Sequence, residues 1–553
     1  MINKEKMIWK ICVIIIIQFC ICIYVGTEKK SFFCDEIYSY GLANSEAYSF
    51  IDPESARQYS STGWVEAKYF KNYVEVSEDQ KLSFAATVRN QINDVHPPFY
   101  YCLLHLICYF FRGHFSKWTG LGLNLIILFF IDIFFLYITN YLFRDMKKAI
   151  LAMIFWSCSA AGLSNILFIR MYLLQTCQIL AFVAVHIRVI KCGQIKFQKL
   201  DYILMLLLVV SGGLTQYYFY YFVFFFSGVL CVYFLISRQI VKLIKYSASL
   251  LGGFVSALLI FPYTINHVLS GYRGTEVLSN LSERDSDVFN IYYNWINQSS
   301  FGGYIKVLFI GVVICAFWGV LNKYLVTLSL GFEKSEEQII IDLERKNRMK
   351  FNKCHFEIRL SYIVVLWMFF SYVMFGYLVV KGSSLVHNRY LYPVYPMVAI
   401  VLMGLILFCI RQIVNCKIEN EILLGIILLM CVLSVRTYGI DFMYKDYDLF
   451  REQAEQVQGY DCLLWYGDSW LDRCTALPLK LIYDETYFLH PNEIKDVSEI
   501  LNLRESYNPV VVCLPDQYTA EEAEVTLSQI SEAGGFTGYR LIYHYYTQAY
   551  LME

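Results

Sequence analysis

Charge is scarce in this sequence. Asp, Glu, Lys and Arg make up 17% of its 553 residues, against about 25% in soluble proteins. That shortage, with the long apolar runs described below, excludes a soluble multidomain enzyme and a disordered chain. Metal-type and disulfide-type cysteine spacing is also missing. None of the 18 Cys forms a Cys-x-x-Cys pair, and most lie inside apolar runs, such as Cys158, Cys177, Cys231, Cys315 and Cys409. They read as small hydrophobes in packed helices, not as zinc ligands or a secreted disulfide framework. There is no Gly-rich phosphate loop, and a net charge of −1 argues against a nucleic-acid binder, which would be basic.

What the chain has instead is tyrosine, 46 of them, and apolar runs separated by short basic connectors. A membrane-spanning helix needs about 20 mostly apolar residues. The first run, Ile8 to Tyr24, follows Lys4, Lys6 and Lys10 and has no small-residue cleavage site after it, so it reads as an uncleaved helix with a cytoplasmic N-terminus. Ten more runs fall near 119–143, 149–168, 171–190, 201–216, 217–237, 247–268, 305–322, 361–380, 391–410 and 422–440. A further short run, Pro97–Phe111, has 15 residues. If it does not cross, the N-terminus and the connectors 144–148, 188–199, 238–245, 323–359 and 411–417 share the cytoplasmic side and hold 23 Lys and Arg. The positive-inside rule prefers that arrangement. Pro97–Phe111 is therefore expected to be a re-entrant or interfacial helix at the outer face, and the mixed-charge connector 323–360 is expected to be helical.

This topology leaves 26–118, the turn near 165–171, 269–304, 381–390 and the tail 441–553 outside. The chain divides into a transmembrane part, 1–440, with its first outer loop at 26–118, and an extracytoplasmic tail, 441–553. The tail's pattern changes to short β runs, Cys462–Tyr466, Thr486–Leu489, Val510–Leu514 and Arg540–Tyr546, around a helix Ala520–Glu532 that Thr519 can cap and Gly534-Gly535 can end. A small α/β domain with a partly parallel sheet is expected. The turn Tyr466-Gly467-Asp468-Ser469 resembles a ligand turn only in outline. The tail carries 7 Lys and Arg against 20 Asp and Glu, a net of −13, whereas the rest of the chain is at +12. The near-neutral total is the sum of a basic membrane body and an acidic module that should stand off anionic lipid and position an acceptor or partner.

The candidate chemistry lies on the outer segments. The first loop opens with Phe33-Cys34-Asp35-Glu36, adjacent carboxylates just beyond a membrane helix, where one can accept a proton or hold a cation. It ends with Asn93-Asp94-Val95-His96-Pro97-Pro98-Phe99-Tyr100-Tyr101, where two prolines fix an extended entry and hold His96 at the boundary; Asp94 and His96 suit a phosphate or an oriented base. Ile169-Arg170-Met171-Tyr172 places a lone guanidinium between two hydrophobic helices, and an anionic lipid phosphate is its natural partner. Leu214-Thr215-Gln216-Tyr217-Tyr218 opens an aromatic cluster at the same face. Lys381, His387 and Arg389, followed by Tyr390, form a second cationic group.

Taken together, these segments resemble the GT-C superfamily of integral-membrane glycosyltransferases, and within it the family-39-like group of protein O-mannosyltransferases and lipid A aminoarabinose transferases. The matching pieces, in family order, are Asp35-Glu36, His96-Pro97-Pro98-Phe99-Tyr100-Tyr101, Arg170-Met171-Tyr172, Leu214-Thr215-Gln216-Tyr217-Tyr218 and Arg389-Tyr390-Leu391-Tyr392-Pro393. The resemblance covers about 1–411. It implies a polytopic α-helical membrane protein with about eleven spans plus the re-entrant helix. It also implies a polyprenyl-phosphate sugar as donor, a glycan, lipid or protein acceptor bearing a hydroxyl, and inverting transfer on the outer face of the cell membrane. By that resemblance Asp35 is the general base, Glu36 supports it or orients the acceptor, and His96, Arg170, Lys381, His387 and Arg389 surround the donor phosphate. Asp94, Tyr100, Tyr172, Gln216, Tyr217, Tyr218 and Tyr390 line the substrate cavity. The sequence departs from the family at Phe168, where many relatives carry an acid two positions before the Arg. That counts against a required divalent cation, with Asp94, Asp285 and Asp287 the acids left to substitute, and no cofactor is implied. A lipid-linked sugar transporter or flippase, or a non-catalytic envelope assembly factor, are the other readings. Few charges lie inside helices (Asp132 is the clearest) and no inverted repeat of broken helices is evident, which weighs against the transporter.

Overall fold

The computed structural model describes residues 2–190, 195–324, 334–335, 338–347, 350–413, 418–466, 481–505 and 507–553. Eight helices are long and apolar enough to cross a membrane, or up to ten if each of two bent helix pairs is one span. The chain is a multi-pass helical membrane protein. The run 201–216 is the helix Lys199–Gly213, whose 15 residues fall short of spanning length. The run 149–168 is two helices, Met146–Cys158 and Ala160–Leu167, meeting at 66°. Ser159 makes this break: its backbone is extended, and its Oγ accepts the Gly162 N–H at 3.2 Å to cap the second half. Residue 162 must be glycine, because a Cβ there would lie 1.9 Å from the Trp156 carbonyl oxygen. The run 305–322 is likewise the second half of a pair bent by 71° with Asp287–Phe301.

The innermost span is Tyr172–Ile190, buried over almost its whole length. Residues 26–118 fold into a layer of short helices at the end of the bundle where Tyr172 lies. The helix Cys34–Asn44 is buried along its entire length. It packs so closely on Ala67–Val74 that a Cβ at Gly41 would sit 2.0 Å from the Tyr73 ring. Phe99–Phe110, the short run read as non-spanning, is a 12-residue apolar helix. It is tied in by the Phe99 N–H donating to the Leu214 carbonyl at 2.9 Å and by His105 facing Asn44 at 3.2 Å.

Nine strands occur among the described residues: β1 (Trp64–Glu66), β2 (Lys334–Ser335), β3 (Gln338–Asn347), β4 (Lys350–Arg359), β5 (Asp461–Trp465), β6 (Glu485–Leu489), β7 (Val510–Pro515), β8 (Tyr539–His544) and β9 (Thr547–Met552). The connector 323–360 corrects its expected helical reading. β3 and β4 form an antiparallel hairpin with Asn347 opposite Lys350. Its β-branched Ile339-Ile340-Ile341 run and the alternation Phe356, Ile358 favour strand over helix. In the tail, the four expected strands are present, together with β9. The helix Ala520–Gly534 is capped by Thr519, whose Oγ1 accepts the Glu522 N–H at 3.2 Å, and ended by Gly535 at φ +74. Of the turn 466–469, residues 467–469 lie outside the described residues.

The tail sheet runs in the order β1-β6-β5-β7-β9-β8, with β5 parallel to both its neighbours. Its first strand belongs to residues 64–66 of the first loop, antiparallel to β6. Trp64 is buried in the tail's core and donates its indole N–H to the Ile500 carbonyl at 2.9 Å. Arg57 meets Glu493 at 2.5 Å on the same seam. Removing the indole leaves a cavity and an unpaired carbonyl. Trp64→Ala should therefore cost about 3–5 kcal/mol, read as earlier thermal unfolding of the purified protein and faster proteolysis of the tail.

Candidate active site

The first turn of Cys34–Asn44 holds two acids that face different ways, as successive helical residues must. Glu36 turns inward. It is wholly buried against Lys29, whose Nζ is 2.9 Å away with no exposed side-chain surface on either partner. Glu36 also accepts the Phe33 N–H at 2.8 Å and the Ile169 N–H at 2.9 Å. Lys29 in turn donates to the Phe442 carbonyl at 2.7 Å. This one carboxylate joins the end of the first span, the start of the helix, the 168–170 turn and the first residues of the tail.

Asp35 faces a cavity of about 750 Å³. Its Oδ2 lies 3.1 Å from Arg389 Nη1. Arg170 donates to the Asp35 backbone carbonyl at 3.0 Å and to Ser39 Oγ at 3.2 Å. Burial pushes the Asp35 carboxyl up, but the Arg389 and Arg170 cations pull it further down, so it is held below the usual carboxylate range. Asp94 has the same balance, burial raising its pKa and His96 lowering it more. The two meet at 2.8 Å, Asp94 Oδ2 to His96 Nδ1.

Arg389 sits in the 3-10 helix Asn388–Val394, with its guanidinium over the Phe33 ring at 5.2 Å and the Tyr390 ring at 5.5 Å. Asn388 and Tyr392 on either side of it are held by Asp441, to which Tyr392 donates at 2.7 Å and Asn388 at 3.4 Å. Burial outweighs these hydrogen bonds and raises the Asp441 carboxyl.

Ten of the residues singled out from the sequence line this one cavity: Asp35, Asp94, His96, Arg170 and Arg389, and with them Tyr172, Gln216, Tyr217, Tyr218 and Tyr390. Four do not. Glu36 is enclosed as described. Tyr100 is fully buried beneath Tyr101, the ring centroids 5.7 Å apart. Lys381 ends the helix Leu360–Gly382 away from the cavity. His387 packs edge-on to Phe33 at 6.4 Å behind Arg389, where burial and that cation lower its pKa to about 4.

Several lining groups had not been singled out as site residues, three of them polar groups from one pair of helices. His267, Tyr272 and Arg273 come from the helices Thr264–Leu269 and Tyr272–Glu283. His267 Nδ1 lies 2.9 Å from the Tyr217 hydroxyl, and Arg273 pairs with Glu276 at 3.0 Å. The available signal was an Arg beside a Tyr at the start of a polar loop.

Phe168 fills its position with an aromatic ring stacked on Phe442 at 4.5 Å and Tyr172 at 6.0 Å. Among the described residues no group of three or more His, Cys, Asp or Glu is placed to hold a metal ion. Asp285 and Asp287 are exposed and line no part of the cavity.

No family model and no curated protein matches the chain. Among solved structures, it is similar to ArnT from Cupriavidus metallidurans bound to undecaprenyl phosphate, at 10% identity over 97% of each chain and a TM-score of 0.49. It is also similar to the Archaeoglobus fulgidus oligosaccharyltransferase in complex with zinc and sulfate, at 12% identity over 80% of this chain and 63% of that one, with a TM-score of 0.36.

The Lys29–Glu36 pair makes a stability prediction. Lys29→Met strands a buried carboxylate and should cost about 3–5 kcal/mol. The double variant Lys29→Met, Glu36→Gln removes both charges and should recover part of that loss, as measured by thermal unfolding in detergent.

Proposed function

We propose that this protein is a membrane glycosyltransferase of GT-C type that moves a sugar from a polyprenyl-phosphate donor to an acceptor hydroxyl with inversion. The observation that carries the reading is the buried Asp35–Arg389 pair, 3.1 Å apart, at the wall of a cavity that also gathers Arg170 and His96. An ionised carboxylate beside several cations is what a phosphate leaving group and a hydroxyl nucleophile need within one site. The excess of Lys and Arg on the opposite connectors supports placing the N-terminus in the cytoplasm and this cavity and the tail outside.

In this mechanism the acceptor O–H donates its proton to Asp35 as its oxygen attacks the anomeric carbon. The bond from that carbon to the phosphate oxygen breaks on the opposite face. The charge that grows on the departing phosphate is met by Arg170, Arg389 and His96. Arg389 links the two halves. While it faces Asp35 it keeps the carboxylate ionised but weakly basic; when it turns part of its donor set to the phosphate, Asp35 recovers basicity at the moment it must take a proton. Glu36, bound on both oxygens, holds the helix turn that presents Asp35.

Two variants test this. Asp35→Asn should abolish transfer while the protein still inserts and unfolds at the wild-type temperature; normal transfer by that variant would remove Asp35 as the base. Vesicles that move a lipid-linked sugar with no acceptor glycosylation would make the protein a transporter. Arg389→Gln removes the strongest of the cations that hold the Asp35 carboxyl down and should raise its pKa. Since the ionised form is active, activity lost as pH falls through that pKa should disappear at a higher pH in the variant than in the wild type. The acid limb of the pH–rate profile measures it.

A further inference from the structure

Resting on that donor reading, the pairing of charges around the cavity carries it to the class of sugar. Two carboxylates line the cavity, and each has a cationic or imidazole partner: Asp35 faces Arg389 at 3.1 Å, and Asp94 faces His96 at 2.8 Å. Arg273 is matched by Glu276 at 3.0 Å. Arg170 differs. Its hydrogen bonds go to neutral oxygens, the Asp35 carbonyl and Ser39 Oγ, and its Nε, like that of Arg389, has no partner among the described residues. The wall thus offers one guanidinium without a carboxylate partner, suited to a phosphodiester, and no carboxylate left over for an ammonium group.

Beyond these charges the wall is aromatic. Tyr390 meets Tyr172 edge-to-face at 6.1 Å and Tyr218 at 6.3 Å, and Tyr221 stacks on Tyr218 at 5.7 Å. Tyrosine rings present apolar faces to the C–H face of a pyranose, and their hydroxyls donate and accept hydrogen bonds with sugar hydroxyls. A tyrosine face also attracts a cation, but the Arg389 guanidinium already lies over Tyr390 at 5.5 Å, and like charge there repels an ammonium group. An acidic sugar fares no better, because its carboxylate would compete with the donor phosphate for Arg170.

We infer that the glycosyl group of the donor is uncharged, a neutral pyranosyl unit lying against Tyr172, Tyr218 and Tyr390, with the phosphate, seated first at Arg170, as the donor's one charged group. The test uses the full-length protein in nanodiscs and lipids of one polyprenyl chain length: glucosyl and mannosyl phosphates as neutral arms, an aminodeoxypentosyl phosphate as the cationic arm, a glucuronosyl phosphate as the anionic arm, and bare polyprenyl phosphate as the reference. A neutral arm should bind at least about tenfold more tightly than either charged arm, a difference of about 1.4 kcal/mol. Tyr218→Leu should weaken that neutral donor about fivefold or more while binding of bare polyprenyl phosphate holds, and Tyr218→Phe should restore most of the loss. A charged arm that binds as tightly as the neutral ones overturns the inference and leaves the donor reading standing. So does a Tyr218→Leu variant that weakens donor and bare lipid alike. Failure of the wild type to bind any of the lipids overturns the donor reading itself.

Discussion

A lysine and a glutamate with no exposed surface hold this site together. Taking two charges out of water costs several kcal/mol each, and only close geometry with further hydrogen bonds offsets it. Glu36 meets that condition with Lys29 and two backbone N–H groups, and Lys29 with the carboxylate and the Phe442 carbonyl. Three stretches distant in sequence, residues 29–36, the 168–170 turn and Phe442, converge on the pair. Its chief consequence is for its neighbour. With Glu36 fixed on the inner side of the helix, the helical turn leaves Asp35 facing the cavity, so the adjacent acids divide into an anchor and a reactive group.

Arg389 is placed with comparable care from the other side. The 3-10 helix that carries it also holds Asn388 and Tyr392, both bonded to Asp441. Tyr395 donates to the Asn388 side-chain oxygen. Asp441 and Phe442 lie a few residues beyond the last span, which ends at Thr437, and Phe442 stacks on Phe168 and tilts against Phe33. The stretch that leads into the tail therefore runs beneath the Asp35–Arg389 pair and ties to both its sides, the Arg389 side through Asp441 and the Asp35 side through the Phe442 carbonyl. Phe168 belongs to the same packing. Where an acid would need a partner, this chain has an aromatic ring that the tail's first residues cover.

The sequence displayed the cavity's reactive residues because each belongs to a short run in which a charged group interrupts apolar residues, and such interruptions are costly unless used. Arg170 and Arg389 stand out for that reason. Glu36 looked the same as Asp35 by this criterion, since a dipeptide does not reveal which of two side chains a helix turns inward. His267 was hidden at the end of the apolar run 247–268, and Arg273 because its helix lies in the polar stretch that follows, where no long periodicity marks it. The bend at Ser159 was hidden because a Ser followed by Gly162 does not interrupt hydropathy. β1 is three residues long, and nothing local distinguishes Trp64 in a strand from Trp64 in a loop until β6 lies beside it. The connector 323–360 was misread because its charges suggested a solvated helix, while its isoleucine run carried the strand signal.

The division of charge gains a physical meaning from the seam between tail and loop. Of that division only charges close to the seam act on the docked tail, because most of the body's cations lie on the opposite connectors, well beyond a Debye length of about 8–10 Å in physiological salt. The pairs that result at the surface, Arg57 with Glu493 and Lys30 with Asp448, contribute only about 0–1 kcal/mol each. They are too weak to hold the tail by themselves. The buried Trp64 and the β1–β6 pairing supply the larger part, because apolar burial is neither screened by salt nor offset by solvation of exposed ions. The two surface pairs therefore accompany the docking, and the indole fixes the tail there. The tail is thereby held over the same layer of helices that presents Asp35, so any partner it engages is brought to the cavity's side of the molecule.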